Sequence, residues 1–273
     1  MPRTPLAPLE ARFLDVEGVK VYDRVCTHAG PSAPAVVHVH GFGISGTYLE
    51  PTAVRLAERA RHYIPDLPGT GRSGRPNGPS DIPTAMRSLR AYCDEVGLER
   101  ATFVGNSLGC VTLLEFADLH PDRVEGLVFV SPAGGPNNQP LAKALGQMSI
   151  DGTREPIGMA RIATRDYLRF GVVRSLALFR AMTRYPTLDQ LELLDRPTLV
   201  IVGRSDPLVD RSRIERLFGG REGMAAVMID GAHALNFTEP DTVAALIAAE
   251  LDGTALTEVE SFENSIEILF DDR

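Results

Sequence analysis

The alternation of short apolar runs with helical segments is the feature that most constrains the fold of this chain. Alternating apolar and polar residues predict a half-exposed strand at 19–25, and short apolar runs predict strands at 33–40, 63–64, 101–104, 124–130, 198–202 and 225–229. Helical periodicity predicts helices at 47–61, 82–96, 107–119, 210–218 and 240–251. Strands that alternate with helices in this way form a mainly parallel sheet with helices on both faces. The predicted fold class is therefore α/β.

One segment interrupts this alternation. Residues 133–190 lie between two core strands, begin with AGGPNNQP and then become helical. This pattern predicts a helical lid at the carboxyl edge of the sheet, inserted before the last two core strands, where open α/β folds bind ligands. The predicted organisation is a core formed by 1–132 and 191–252, the lid at 133–190, and an acidic C-terminal extension at 253–273. The extension carries an apolar patch, IEILF, that is compatible with an extra strand, a docking helix or a contact in a homo-oligomer.

Composition disfavours several other classes of protein. The net charge of −8 disfavours nucleic acid as a partner, because phosphate binding requires a basic surface. No apolar run approaches the roughly 18 residues of a membrane-spanning helix, and MPRTPLAPLEARF at the N-terminus lacks the apolar core of a secretory signal. Cys26, Cys93 and Cys110 lack metal-ligand spacing and do not suggest a disulfide framework. We therefore expect a cytoplasmic protein that binds no metal, membrane or nucleic acid.

Residues 105–109 place a serine between two glycines at a predicted strand-to-helix turn. The sequence Gly-Asn-Ser-Leu-Gly follows the strand at 101–104 and opens the next helix. This G-x-S-x-G spacing holds a nucleophilic serine on a strained turn above the sheet, and glycine on either side avoids collisions with the neighbouring strand and helix. The free amides of the helix N-terminus point at developing negative charge. Ser107 is therefore the candidate nucleophile.

A serine hydroxyl needs a base, and the base needs an orienting acid. His233 lies in a loop directly after the last predicted core strand, which is the expected place for the base. The other histidines lie at strand ends, in a loop or at a helix end: His28, His38, His40, His62 and His120. Asp206 directly follows the strand at 198–202, whereas Asp210, the second candidate, has the position of a helix start. The order Ser107, Asp206, His233 is typical of one hydrolase architecture.

The loop after the strand at 33–40 supplies a candidate oxyanion hole. Its sequence, HVHGFGISG at 38–46, contains glycines that let the backbone turn its amides into the site. We predict that the amides of Phe42 and Leu108 are the donors to the oxyanion. The predicted substrate pocket consists of neighbouring loop residues: Gly41, Gly43, Ile44, Asn106, Leu208 and Ala234.

Taken together, these motifs resemble the α/β-hydrolase fold superfamily over roughly residues 10–252. The resemblance rests on five stretches in order: HGFG at 40–43, DLPGTGRS at 66–73, GNSLG at 105–109, GRSDPLVD at 203–210 and GAHALNFTEP at 231–240. It implies an eight-stranded sheet with a helical lid. It also implies the nucleophile, acid and base roles of Ser107, Asp206 and His233.

The residues present narrow the reaction within that superfamily. Its haloalkane dehalogenases and epoxide hydrolases carry aspartate at the elbow, where this chain has Ser107, and the dehalogenases hold halide with tryptophan, which this chain lacks. The resemblance therefore implies hydrolysis of a carboxylic ester, thioester or lactone of a small molecule, without a cofactor. The first alternative is carbon–carbon bond hydrolysis of a ring-cleavage product, because Asn106 resembles the elbow of that group. A lyase, a cyclase or a ligand receptor is the second.

The predicted lid is rich in arginine. Between Asp151 and Pro186 there are seven arginines and three acids, although the whole chain is acidic: Arg154, Arg161, Arg165, Arg169, Arg174, Arg180 and Arg184. A solvated surface is the usual meaning of such a run. The alternative is that one guanidinium binds a carboxylate of an anionic substrate, because arginine binds carboxylates with two parallel hydrogen bonds.

Overall fold

The strands of the computed structural model form one sheet. The structure describes residues 9–76, 78–218, 221–259 and 266–271. In these residues the strands, numbered β1 to β9 in chain order, span Glu10–Val16, Val19–Cys26, Ala35–Val39, Arg61–Pro65, Ala101–Asn106, Val124–Val130, Thr198–Gly203, Met224–Ile229 and Ile266–Asp271. Their order in the sheet is β1-β2-β4-β3-β5-β6-β7-β8-β9. Residues 1–8 of the predicted core and residues 260–265 and 272–273 of the predicted extension lie outside the described residues.

The central part of the sheet is parallel. All neighbouring pairs from β4 to β8 are parallel, whereas β1–β2, β2–β4 and β8–β9 are antiparallel. Every residue of β3, β5, β7 and β8 is buried. Burial on both faces explains why these strands are continuous apolar runs in the sequence. The α/β prediction is confirmed.

Helices cover both faces of this sheet. They are numbered α1 to α10 and span Glu50–Arg55, Ile82–Glu95, Leu108–Leu119, Leu141–Gly152, Ile157–Phe170, Val172–Arg184, Thr187–Leu193, Arg211–Phe218, Leu235–Thr238 and Pro240–Asp252. The helices α2, α3, α7 and α8 pack on one face, and α9 and α10 on the other. Local sequence fixes several helix ends. The Asp81 carboxylate accepts the Thr84 amide at the start of α2, and Gly253 ends α10 with φ 64°.

The sheet has a ninth strand, so the expectation of eight strands was wrong. The strand β9 comes from the C-terminal extension and pairs antiparallel with β8, with Ile229 opposite Ile266 and Ala225 opposite Asp271. Leu269 and Phe270 pack against the core on one face, and Ile266 against the core on the other. The apolar patch IEILF therefore covers what would otherwise be an exposed sheet edge.

Four helices, α4 to α7, lie between β6 and β7; we call them the helical insert. Phe179 and Met182 of α6 pack in one cluster with Phe42 and Leu108 of the core. The Phe42 ring stacks on that of Phe179 with a centroid distance of 4.9 Å. The insert therefore covers the carboxyl edge of the parallel strands. In the part of the chain that the structure describes, no helix combines the length and apolar character needed to cross a membrane.

Two buried histidines face each other between β3 and β4. His38 Nε2 lies 2.9 Å from His62 Nδ1, and both side chains are fully buried. Burial lowers the pKa of His62 to about 4. Burial together with the neighbouring imidazole lowers the pKa of His38 well below its ordinary value. Both rings are therefore neutral in the folded protein, whereas in the unfolded chain each would titrate near pH 6.5.

This pair should make the fold sensitive to acid. On acidification the two histidines of the unfolded chain take up protons at a higher pH than those of the folded protein. The pair therefore leaves the free energy of unfolding unchanged above pH 6.5 and lowers it as the pH falls from 6.5 towards 4. The lowered pKa of His62 alone corresponds to a loss of about 3 kcal/mol in the free energy of unfolding. We expect the urea midpoint to fall over that window, and to fall less in His62→Gln than in the native chain. His28→Gln, at an exposed histidine, should keep the native pH dependence; equal slopes in all three proteins would contradict the prediction.

Candidate active site

Ser107 lies at the turn between β5 and α3. The strand ends at Asn106 and the helix begins at Leu108. The backbone of Ser107 has φ 56° and ψ −117°, a conformation that costs a non-glycine residue energy and persists only where its surroundings enforce it. Its amide donates to the Val130 carbonyl at 3.1 Å, which ties the turn to β6. The serine is therefore held in a strained position at the carboxyl edge of the sheet.

The two glycines of the turn are required by contacts. A Cβ added at Gly109 would lie 2.1 Å from the carbonyl oxygen of Val39 in β3. A Cβ added at Gly105 would lie 2.8 Å from the carbonyl carbon of Gly109 and from Leu113 Cδ1 in α3. The helix α3 therefore lies closer to β3 and β5 than a side chain at Gly105 or Gly109 would allow.

His233 and Asp206 form a hydrogen-bonded pair. His233 Nδ1 donates to Asp206 Oδ2 at 2.8 Å, and the Leu208 amide donates to Asp206 Oδ1 at 2.8 Å. A carboxylate only accepts, so the proton is on Nδ1 and Nε2 is left for another partner. Asp210, the second candidate, instead accepts the Arg213 amide at the start of α8. The structure therefore pairs His233 with Asp206.

The surroundings of His233 favour its protonated form. Burial alone would lower its pKa, but the charge and hydrogen bond of Asp206, with the nearby carboxylates of Asp151 and Glu155, raise the pKa to about 9. The favourable interaction of the imidazolium with these groups is fully present below pH 6.5 and is lost as the pH rises through about 9. The site is thus arranged to stabilise positive charge on this ring.

Ser107 and His233 line the same cavity, whose volume is about 270 Å³. Most of its wall is apolar and comes from both the core and the insert: Phe42, Ile44, Met148, Met159, Phe179 and Leu208. Of the predicted pocket residues, the ones that line it are Gly41, Ile44, Asn106, Leu208 and Ala234. Gly43 does not, because its Cα faces the Tyr167 ring, which a Cβ would meet at 3.1 Å.

The loop predicted to form the oxyanion hole lies against the serine. A Cβ added at Gly41 would lie 3.4 Å from Ser107 Cβ. Phe42 follows in the same loop and lines the cavity. Leu108 is the first residue of α3, so its amide is among those without a partner inside the helix. Phe42 therefore directly follows Gly41, which lies against Ser107, and Leu108 directly follows Ser107 itself.

A hydrogen-bonded chain fixes this loop from the inside. The Gly41 amide donates to the Tyr48 hydroxyl at 2.8 Å, and that hydroxyl donates to Asn106 Oδ1 at 2.7 Å. Asn106 Nδ2 in turn donates to the carbonyls of Val130 and His233 at 3.1 and 3.2 Å. Asn106 therefore connects the oxyanion loop, the elbow and the histidine loop, and its amide is occupied by the protein itself.

His40 has a structural position rather than that of a base. Its Nε2 accepts the Leu67 amide at 2.9 Å, which places the ring proton on Nδ1, and Nδ1 donates to the Gly41 carbonyl at 2.8 Å. Burial lowers its pKa despite the charge of Asp66. A neutral His40 thus holds the start of the oxyanion loop against the segment that begins with Asp66.

Comparison with known proteins identifies the family. The model of the Alpha/beta hydrolase family matches residues 36–246 of this chain. The chain belongs to the α/β-hydrolase family. The match extends from β3 into α10 and includes both the helical insert and the three residues Ser107, Asp206 and His233.

The matches to curated relatives cover very different shares of those proteins. An uncharacterized protein of Mycobacterium tuberculosis is 33% identical over 133 residues, which are 49% of this chain and 38% of that protein. The chain therefore spans less than half the length of that relative. A putative carbamate hydrolase of Pseudomonas savastanoi pv. phaseolicola is 26% identical over 251 residues, which cover 79% of this chain and 92% of that protein.

Solved structures match the fold closely. The enol-lactonase from Burkholderia xenovorans superimposes with a TM-score of 0.73 at 21% identity, over 88% of this chain and the whole of that chain. At this identity the likeness concerns the fold of this α/β-hydrolase and not its substrate.

The structure adds site residues that the motifs did not indicate. Met182 Sδ lies 3.9 Å from Ser107 Oγ, and Asp151 and Glu155 line the cavity beside His233. All three belong to the insert or the turn within it, where no residue pattern marks the inner face. The seven arginines of the segment are exposed and none lines the cavity. The described residues contain no group of three or more His, Cys, Asp or Glu side chains arranged to hold a metal ion.

Proposed function

We propose that this α/β-hydrolase is a serine hydrolase that cleaves a carboxylic ester, thioester or lactone of a small molecule through an acyl-enzyme. One observation carries the proposal: a serine on a strained elbow and a histidine bonded to a buried carboxylate line the same cavity. A serine hydroxyl becomes an effective nucleophile only beside such a base. The proposed roles are nucleophile for Ser107, base for His233 and orienting acid for Asp206.

In the first half-reaction, Ser107 Oγ attacks the substrate carbonyl carbon while His233 Nε2 takes the hydroxyl proton. The resulting oxyanion accepts hydrogen bonds from the amides of Phe42 and Leu108. The bond to the leaving group then breaks, and His233 returns the proton to the departing oxygen or sulfur. The product is an ester between Ser107 and the acyl group.

In the second half-reaction, water replaces the alcohol. His233 Nε2 removes a proton from water, the hydroxide attacks the acyl carbon, and the tetrahedral intermediate expels Ser107 Oγ, which regains its proton. Asp206 keeps the proton of the ring on Nδ1 and stabilises the imidazolium in both steps. The reaction consumes one water and releases one carboxylic acid and one alcohol or thiol, or a single hydroxy acid where the substrate is a lactone.

The cavity supports a compact, mainly apolar substrate. At about 270 Å³ it lies near the lower end of the range for ligand pockets, and its walls are mostly aliphatic and aromatic. Short and medium acyl chains fit this description best. Carbamates should be tested as substrates too, because one relative is named a putative carbamate hydrolase. Asn106, the residue that suggested carbon–carbon bond hydrolysis, is occupied by Tyr48 and two backbone carbonyls, so it does not favour that alternative.

A fluorophosphonate probe and a substrate panel test the proposal. We expect the probe to label the native chain at Ser107, and p-nitrophenyl esters of short and medium chain length to be hydrolysed. Ser107→Ala should show neither labelling nor turnover. Ser131→Ala is a matched control, because Ser131 also has a positive φ, 53°, directly after the neighbouring strand β6; it should be labelled like the native chain. Labelling of Ser107→Ala at the native level, or a native chain that is inert to probe, esters, lactones and carbamates, would contradict the proposal.

A further inference from the structure

We propose that Asp151 and Glu155 of the helical insert are positioning residues that hold the histidine loop and direct the site towards neutral or cationic substrates. The inference rests on the proposed function of His233 as the base. It concerns two carboxylates that are the cavity's only acidic lining residues among the described part of the chain.

The two carboxylates bind consecutive amides of the histidine loop. Asp151 Oδ1 accepts the His233 amide at 3.1 Å, and Glu155 Oε1 accepts the Ala234 amide at 2.8 Å. Between them, the Arg154 guanidinium donates to the Ser205 carbonyl, next to Asp206. A five-residue stretch of the insert therefore holds both the loop of the base and the loop of its acid.

These carboxylates are poorly solvated for charged groups. Asp151 is only 8% exposed, and Glu155 Oε2 is buried without a hydrogen-bond partner among the described groups. Burial raises the pKa of both carboxyl groups. The largest opposing effect is the charge of the His233 imidazolium at Asp151 and the hydrogen bond from the Ala234 amide at Glu155. An unpaired carboxylate oxygen in an apolar cavity is unfavourable on its own. Positive charge on His233, or on a ligand in the cavity, would compensate for it.

The groups around His233 are predominantly negative. Asp206 faces the ring from the loop after β7, and Asp151 and Glu155 face it from the insert. The phenols of Tyr48 and Tyr167 line the same cavity and are neutral, because burial raises the pKa of each. The Arg154 guanidinium is the cation beside Asp151. Removal of either insert carboxylate should therefore lower the pKa of His233.

The same charges decide which substrates the cavity favours. An anionic acyl or leaving group would enter a cavity that is lined by two carboxylates and by no arginine, although Arg154 lies beside Asp151 outside the lining. Like charges in a partly desolvated site repel more strongly than in water. Neutral esters and esters with an ammonium group should therefore be better substrates than matched esters with a carboxylate.

Charge-removing variants test the inference. Asp151→Asn and Glu155→Gln keep an oxygen that accepts the amide, so they separate charge from position, and the double variant combines them. We expect the imidazole titration of His233, followed by NMR, and the acid limb of kcat/KM to shift to lower pH by about one unit in the double variant. The preference for a cationic over an anionic ester should fall by about tenfold. Glu192→Gln, at an exposed glutamate of α7 outside the cavity, is the matched control and should change neither.

Alanine variants test the positional part. Asp151→Ala and Glu155→Ala should lower kcat more than they raise KM, and Asn or Gln at the same position should restore kcat. An unchanged NMR titration and an unchanged charge preference in the double variant would overturn the inference while ester hydrolysis by the native chain stands. If the native chain does not hydrolyse esters but the titration shifts as expected, the proposed function fails and the electrostatic part survives.

Discussion

Replacing Asp206 with asparagine should lower kcat/KM for a p-nitrophenyl ester by about 10⁴-fold, the scale on which the corresponding change lowers kcat in a serine protease. The carboxylate accepts the proton of His233 Nδ1 at 2.8 Å. An amide at this position can donate to Nδ1 instead, which moves the ring proton to Nε2, where the base must be free. The variant also loses the charge that stabilises the imidazolium, so the pKa of His233 should fall.

Asp210→Asn is the matched control for this experiment. Asp210 lies four residues along the same loop and was the second candidate from sequence, but its Oδ1 accepts the Arg213 amide and the Ser212 hydroxyl at the start of α8. Asparagine is nearly as good a helix cap as aspartate, so both activity and stability should stay close to native values. Comparable losses of kcat/KM in the two variants would contradict the assignment of Asp206. Steady-state kinetics with circular dichroism of both proteins decides between these outcomes.

The positions of Ser107, Asp206 and His233 in the fold were predictable because each lies in the turn or loop after a core strand. Ser107 follows β5, Asp206 follows β7 and His233 follows β8, and these strands are apolar runs that are easily recognised. Carboxyl ends of parallel strands share one edge of a sheet. Recognition of these strands in the sequence is therefore enough to predict that the three residues lie at the same edge of the sheet.

Other parts of the chain carry weaker signals. The predicted helix 47–61 is in fact a 3₁₀ turn, Gly46–Leu49, followed by α1, which ends at Arg55. The chain then turns so that Arg61 can pair with Ala35 in the sheet; tertiary pairing overrides the local helical preference here. The strand β1 is not among the predicted strands, although its hairpin with β2 turns at Glu17 and Gly18, both with positive φ.

The inner face of the insert could not be predicted. Its residues have helical periodicity, but arginines and acids both occur at positions compatible with either face. The alternative that an arginine contacts the substrate depended on which helix face points inward, and that orientation is set by packing of Phe179 and Met182 on Phe42 and Leu108. Long-range contacts of this kind are not encoded by spacing within the segment.

Replacing Gly109 with alanine should destabilise the fold by at least about 3 kcal/mol and abolish activity. An added Cβ would lie 2.1 Å from the Val39 carbonyl oxygen and 2.9 Å from its carbon, both backbone atoms of a buried strand. Either β3 moves away from β5, or α3 moves and carries Ser107 with it. Overpacking against side chains typically costs 1–3 kcal/mol, and backbone atoms can move less than side chains. Urea unfolding should show a midpoint lower by about 1 M or more.

Gly146→Ala in α4 isolates the cause of this effect. Both glycines are in helices without positive φ, so alanine should favour either helix by about 0.5–1 kcal/mol through backbone entropy. Nothing lies within 4 Å of a Cβ added at Gly146, so that variant should be slightly more stable than the native chain. The two substitutions share their chemistry and differ in the contact with Val39. A Gly109→Ala protein as stable and active as Gly146→Ala would therefore mean that close packing between β3 and α3 does not hold the serine in place.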